Sequence, residues 1–318
     1  MNPPEDSAVY YDPYDVAINA DPYPTFRRLR DESPVSYNER FDFWALSRHA
    51  DVEQALVPSA TAPRYAAKYV DQSGLIRWDR DALSSCRVDE ELCRILHVVA
   101  LLEQDTEISA RQARSLGIDR AHDIELFLPR WEREEAEHAR AVRFLLADQT
   151  YAAPQPRPKA IPLRRRGVAL IPLTAFRRLP QTGLVFCTLG AAAEYVTIVT
   201  YTELARDAGP PALVSLLRSI ARQEGRHFAF FLAAARARAA AMSSVNGRLA
   251  RRALASLWEP VGLPSLGLPA WTTLFGRFLD DENFRSRVRV MDRVVDTIPH
   301  LAGLELMSTF LREGVPRR

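Results

Sequence analysis

Residues 135–138 read Glu135-Ala136-Glu137-His138 and residues 224–227 read Glu224-Gly225-Arg226-His227: two copies of a glutamate with a histidine three positions later. On a helix, positions i and i+3 project from one side, so a carboxylate and an imidazole at this spacing can reach one ion together. The flanking residues set the helical register. Ile124, Leu128, Trp131, Glu135, His138, Val142 and Leu145 follow at steps of three and four, and so do Leu213, Leu217, Ile220, Glu224, His227, Phe231 and Ala234. Each pair therefore lies inside an apolar stripe, the face a helix turns toward a core. Glu132, Glu134 and Glu137 fall off the first stripe and read as a solvated face.

Two single glutamates hold equivalent places. Glu103 continues the stripe Leu92, Leu96, Val99, and Glu194 is the one charge in Gly183–Tyr201, GLVFCTLGAAAEYVTIVTY. That run imitates a membrane span, but a lone mid-span carboxylate is costly in lipid. The rest of the chain offers Glu194 partners, so the run reads as the buried helix of a bundle. Four unpaired carboxylates in one core would be prohibitive. Two divalent cations balance four carboxylates and two neutral imidazoles. The order is Glu103, Glu135 with His138, Glu194, and Glu224 with His227. This is one Glu from each of two helices and Glu-x-x-His from each of the other two, the pattern of di-iron carboxylate bundles. Oxygen and imidazole donors suit two iron ions, with a manganese–iron pair as the alternative. The competing reading is a bundle with two hydrogen-bonded core histidines and half-buried glutamates.

The surrounding pattern is all-α. Asp89 is an N-cap for a helix to about Ala113. Further helices are expected from Ala121 or Pro129 to Leu146, over 182–206, over Ala212–Met242, and at 246–258, 270–279, 283–297 and 300–312. Residues 149–180 contain six prolines and cannot form one helix. They are long enough to cross a bundle end to end, which parallel second and third helices require. Before about residue 58 the texture differs. A short helix around Pro24–Arg30, a strand at Phe41–Ser47 and a helix at Ala50–Leu56 make a small mixed appendage, giving a division at 58/59.

At the six ligand positions the chain resembles the ferritin-like di-iron superfamily, most closely its soluble acyl-carrier-protein desaturases, over about residues 62–312. The resemblance implies a ferritin-like four-helix bundle with a long crossover between helices two and three and extra C-terminal helices. It implies that Glu135 and Glu224 bridge two irons while Glu103 and Glu194 each bind one. It further implies an O2-dependent oxidoreductase that takes hydrogen from an unactivated C–H bond of an acyl or similar apolar substrate, and a homodimer. Thr197 matches a threonine three residues after the third carboxylate ligand of that family. Its hydroxyl either delivers a proton during oxygen activation or simply bonds a backbone carbonyl. Ile220 stands where N-oxygenases carry an extra histidine, and Val142 where radical-generating reductase subunits carry tyrosine. Gln223 departs from the desaturases' usual acid and puts their electron-entry route in question. A di-iron hydroxylase or N-oxygenase, and a non-enzymatic iron- or peroxide-handling protein, are the alternatives.

Residues 12–56 resemble the start of a bacterial cytochrome P450, through Asp21-Pro22-Tyr23-Pro24, Phe26–Arg30 and Phe43–Val52. No Phe-x-x-Gly-x-x-x-Cys-x-Gly haem loop follows, so a haem-thiolate activity is not expected. The segment reads as a fusion remnant or start-site artefact, or as a docking appendage. Charge divides at the same place: residues 1–58 carry −6 and the remainder +8, for a net +2. The excess is too small, and no module is recognisable, for a nucleic-acid binder. Arg157–Arg178 holds seven cations and no acid. It suits either docking of an acidic acyl carrier protein or a solvated loop. Electrons would come from an external, ferredoxin-like donor. Three cysteines without a CxxC, and an N-terminus without a basic-then-apolar leader, point to the cytoplasm and no membrane.

Overall fold

Asp89 starts the first of four long helices. Its carboxylate accepts the Leu92 N–H at 2.8 Å, with Glu90 and Glu91 in the first turn where the helix dipole favours acids. In this computed structural model the described residues are 9, 11–12, 15, 18, 21–38, 43–48, 51, 63–149, 179–258, 260 and 262–313. The chain forms two compact units, Met1–Thr61 and Ala62–Arg318.

The first unit holds helix α1 (Tyr23–Glu32) and an antiparallel pair, β1 (Val35–Asn38) and β2 (Phe43–Leu46), with Val35 opposite Leu46 and Asn38 opposite Phe43. The expected strand is β2. Strand β1 is an addition that its Ser-Tyr-Asn sequence does not announce. Apart from Asp51, the expected helix at 50–56 lies outside the described residues.

In the second unit every described regular element is helical. The elements are α2 (Pro63–Gln72), α3 (Arg80–Ser84), α4 (Glu90–Ser115), a 3₁₀ turn at Ile118–Arg120, α5 (His122–Leu146), α6 (Pro180–Asp207), α7 (Pro211–Ala240), α8 (Ser244–Leu257), α9 (Leu263–Leu279), α10 (Glu282–Asp296) and α11 (Leu306–Glu313). The long helices match their expected spans to within two residues at most ends. The last expected helix starts late. Residues 299–305 form turns in which His300 and Glu305 adopt positive φ, and α11 begins only at Leu306. Asp292 caps it there, accepting the N–H groups of Met307 and Ser308.

Side-chain contacts give the directions of the four long helices. Asp123 meets Arg238 while His138 meets Glu224, so α5 and α7 are antiparallel. Gly190 abuts Phe231 and Tyr195 packs on Phe228, so α6 and α7 are antiparallel too. Helices α5 and α6 therefore run parallel, as the ligand order requires. The linking segment, 150–178, lies outside the described residues and takes the basic stretch Arg157–Arg178 with it.

Both sequence stripes are buried along their whole length. Between α5 and α7 they meet as an aromatic pile, with Phe127 stacked on Phe230 at 3.8 Å between ring centroids and Trp131 edge-on to Phe231 at 5.2 Å. Gln181–Asp207 is long and apolar enough to cross a membrane. Half of its most apolar 18-residue stretch is buried in the protein, and the helix packs on α7, α8 and α10. It is a core helix.

Candidate metal centre

The six side chains singled out by spacing come together. Glu103, Glu135, His138 and Glu224 form one cluster, and Glu135, Glu194, Glu224 and His227 a second, with one ligand atom from each residue within 4.8 Å of the others in its cluster. All six are buried. Four helices contribute: α4 gives Glu103, α5 Glu135 and His138, α6 Glu194, and α7 Glu224 and His227.

The two shared carboxylates divide their oxygens. Glu224 turns Oε1 to His138 Nδ1 at 3.1 Å and Oε2 to His227 Nδ1 at 2.8 Å. Glu135 turns Oε2 to His138 Nδ1 at 3.9 Å and Oε1 to His227 Nδ1 at 2.9 Å. The unshared pair stays on opposite sides, with Glu103 Oε2 3.3 Å from His138 Nδ1 and Glu194 Oε2 3.9 Å from His227 Nδ1.

These separations test whether ions fit. Two donor atoms each about 2.1 Å from one ion and at a right angle lie about 3.0 Å apart. The observed spacings match the edges of such a polyhedron. Oε1 of Glu135 and Oε1 of Glu224 are buried and accept no well-formed hydrogen bond, so they are donors held without a matching partner. The residues fit a pair of metal ions, with Glu135 and Glu224 placed to bridge. Oxygen and imidazole donors without sulfur suit a hard or borderline divalent cation and not a soft one.

The protonation pattern says the same. Burial, with Glu224 and Glu103 adding to it, pushes the Glu135 carboxyl well above its usual range, and burial with Glu224 and Glu135 does so for Glu194. Burial alone would lower the two histidines. The carboxylates around them win and raise both, Glu224 and Glu103 for His138, and Glu134, Glu135 and Glu224 for His227. Burial also opposes ionisation of Glu224, yet His138 and His227 hold it below the ordinary carboxylate range. Without cations, the cluster collects protons in their place.

A ring of partners surrounds the six. Trp131 Nε1 donates to Glu194 at 3.1 Å, and the Tyr201 hydroxyl donates to Glu103. Glu134 and Glu137, read from the sequence as solvated, are buried. Glu134 accepts from His227 Nε2 at 2.8 Å, from the Tyr69 hydroxyl at 2.6 Å and from the Gly74 N–H at 2.6 Å. Glu137 accepts from Trp78 Nε1 at 2.8 Å and from Arg140. Helix α2 and the turn after it cover the face of α5 that the stripe leaves outward. Only Glu132 fits the expectation, pairing with Arg114 at the surface.

Beside the clusters lies a cavity of about 280 Å³ walled by α4, α6, the Trp131 and Phe231 rings, and α9. Its lining runs from Val99 to Gln112 on α4 and from Phe186 to Tyr201 on α6, about 20 Å of helix axis each. Glu103, Glu135 and Glu194 border it, and the rest is mainly apolar. Thr197 lines it as well, its hydroxyl donating to the Ala193 carbonyl at 3.0 Å. Gly262, at φ +79°, lets α9 close over it, since a Cβ there would stand 2.6 Å from Leu102.

Comparison with known proteins reaches only the first unit. A 49-residue match, 55% identical, links 15% of the chain to 12% of a protein named cytochrome P450 123 from Mycobacterium tuberculosis, with the same match in Mycobacterium bovis. A 45-residue match, 51% identical, links 14% of the chain to 9% of the beta-dihydromenaquinone-9 omega-hydroxylase of M. tuberculosis. The chain thus spans about an eighth or less of the curated relatives it matches. No family model matches the chain, and no solved structure matches it at significance. The resemblance of the N-terminal segment to a P450 start is supported. The helical unit is characterised by its own geometry.

Proposed function

We propose that the helical unit is a ferritin-like, O2-dependent di-iron oxidoreductase that abstracts hydrogen from an unactivated C–H bond of a slender apolar substrate, of the acyl type. The observation that carries the proposal is the pair of shared carboxylates, each presenting one oxygen to each of two histidines at the wall of an apolar slot. Two bound iron ions would supply O2 activation. The chain's own residues do the rest. Glu103, Glu135, His138, Glu194, Glu224 and His227 hold the pair, while Trp131 and Tyr201 orient the two unshared carboxylates. The walls exclude water and align the chain to be oxidised.

The slot's proportions support an extended chain. An apolar cavity of about 150 Å³ holds benzene, so the roughly 280 Å³ here corresponds to about eleven carbon atoms. Spread over about 20 Å of helix, that volume suits one linear chain and not a fused ring system. It also favours a substrate enzyme over iron storage, which needs no such slot. Thr197 is proposed to relay a proton, which requires its hydroxyl to swing from the Ala193 carbonyl toward the clusters. An external two-electron donor, an acyl carrier protein bound through the Arg157–Arg178 region and a homodimer belong to the same proposal.

Anaerobic reconstitution with Fe(II) is expected to yield two irons per chain and an optical change on exposure to O2. O2- and reductant-dependent conversion of a medium-chain acyl thioester should accompany it. Fewer than two metals per chain would overturn the reading, and mineralisation of many irons per chain would replace it with storage. Gly190→Ala tests the slot separately. An added Cβ would stand 2.7 Å from the Phe231 ring, forcing that ring to shift along the slot wall. Metal content should be unchanged, while conversion of the chain substrate falls about ten-fold or more.

A further inference from the structure

The residue preceding each bridging glutamate reaches across to the histidine of the opposite helix. Glu134, before Glu135 on α5, accepts from His227 Nε2 at 2.8 Å; Gln223, before Glu224 on α7, accepts from His138 Nε2 at 3.0 Å. The two positions are related by the near-symmetry of the helix pair, yet one carries a carboxylate and the other an amide. We propose that this difference makes the two metal positions unequal, with the ion beside His227 bound tightly and the ion beside His138 bound weakly and exchangeably. The inference rests on the di-metal reading and goes beyond it.

The backbone of one residue, Gly74, maintains the difference. The Gly74 N–H donates to Glu134 Oε1 at 2.6 Å, and the Gly74 carbonyl accepts from Gln223 Nε2 at 2.7 Å. A carbonyl only accepts, so the Gln223 amide nitrogen faces Gly74 and its oxygen faces His138. His138 therefore keeps its proton on Nε2, which would leave Nδ1 free to face an ion held among Glu103, Glu135 and Glu224. Glu134 fixes the same tautomer in His227, with full negative charge behind it. A carboxylate at 223 would set acceptor against acceptor at the Gly74 carbonyl, and an amide at 134 would set donor against donor at the Gly74 N–H or at His227.

A carboxylate behind a ligating imidazole makes that imidazole a stronger donor to the metal, and the charge-assisted bond is about twice as strong as a neutral one. Loss of such a partner costs about 10–100-fold in metal affinity. The wild-type protein should therefore bind its two ions in steps separated by that factor.

The test is an anaerobic titration of the full chain with Co(II) alone, followed by its visible absorption, with circular dichroism of each metal-free variant as a check on folding. Wild type is expected to show a tight and a weak step. Glu194 belongs only to the His227 cluster and Glu103 only to the His138 cluster. Glu194→Ala should therefore abolish the tight step, and Glu103→Ala the weak one. Glu134→Gln should weaken the tight step about 10–100-fold and leave the weak step in place. Two equal steps in wild type, or a tight step that survives Glu194→Ala, would overturn the inequality while leaving a two-metal site standing. No Co(II) binding at all would overturn the metal reading itself, and this inference with it.

Discussion

Glu135→Gln is expected to abolish binding of both metals while leaving the metal-free protein as stable as wild type, or more so. Glu135 supplies one oxygen to each cluster, so the substitution removes a donor from both positions at once. Affinity should fall by more than the roughly hundred-fold that a lost outer partner costs, and O2-dependent turnover should vanish with it. Stability runs the other way. The folded protein raises the Glu135 carboxyl because burial, Glu224 and Glu103 all disfavour its charge. A carboxyl raised on folding binds a proton more readily in the folded state. The fold therefore loses stability as pH climbs above the ordinary carboxylate range, up to the raised value. Glutamine resembles the protonated form and removes that loss. The melting temperature of metal-free Glu135→Gln should match wild type near pH 4 and exceed it at pH 7–8. Each kcal/mol is worth about 2–4 °C in a unit of this size. A variant destabilised at neutral pH would show that the cluster is a structural network and not a site kept at a cost for its ligand.

Why the sequence discloses the inner six and not their partners follows from helical geometry. A stripe at steps of three and four identifies one buried face, and every residue assigned to the stripes of α5 and α7 is buried. Glu134 and Glu137 lie off that stripe, and periodicity assigns them to solvent. They are buried because α5 is covered on a second side by α2, the Gly74 turn and Trp78. Those elements come from a stretch with no strong period of its own. One signal was present: each Glu-x-x-His is preceded by a residue with a side-chain carbonyl, Glu134 and Gln223, a five-residue pattern repeated on two helices. Tyr69 and Tyr201 had no such mark. A single tyrosine on an apolar face looks alike whether its hydroxyl meets water or a buried carboxylate.

Helix ends were legible at Asp89, whose carboxylate caps α4, and at Pro210-Pro211, where the prolines interrupt the helical run. They were less so where backbone strain decides. Turns at 299–305 place two non-glycine residues, His300 and Glu305, at positive φ, a conformation such residues adopt uncommonly and that their identities do not announce. The P450-like segment was recognisable by composition and motif alone. Its β1 strand was not, because four residues with two small polar side chains carry little β signal.

Arg238→Met should produce the opposite phenotype to Glu135→Gln, a protein that is fragile and metal-competent. Arg238 near the end of α7 grips Asp123 in the first turn of α5 through two parallel bonds of 2.8 and 3.0 Å, and the Tyr65 hydroxyl donates to the same carboxylate. Burial pushes Asp123 up, but Arg238 and Tyr65 outweigh it and hold the carboxyl below its usual value. A depressed folded pKa gives stability that is present above the unfolded pKa and lost as pH falls through the folded one. Methionine keeps much of the side-chain volume and leaves Asp123 buried beside Cys187 without its cation. Breaking a buried pair from one side costs about 3–5 kcal/mol. The lower end applies here, because Tyr65 and the helix N-terminus still solvate Asp123. At about 2–4 °C per kcal/mol the melting temperature should fall by about 6–12 °C at pH 7, and by less in acid, as Asp123 takes up its proton. Arg238 lies about three helical turns from His227 along α7, and neither Arg238 nor Asp123 belongs to the two clusters. Protein kept below its melting point should therefore still load two metals per chain. If Arg238→Met lost metal and stability together, the clusters would depend on the closure of that end of the helix pair, and the scaffold and the site would not be separable as argued.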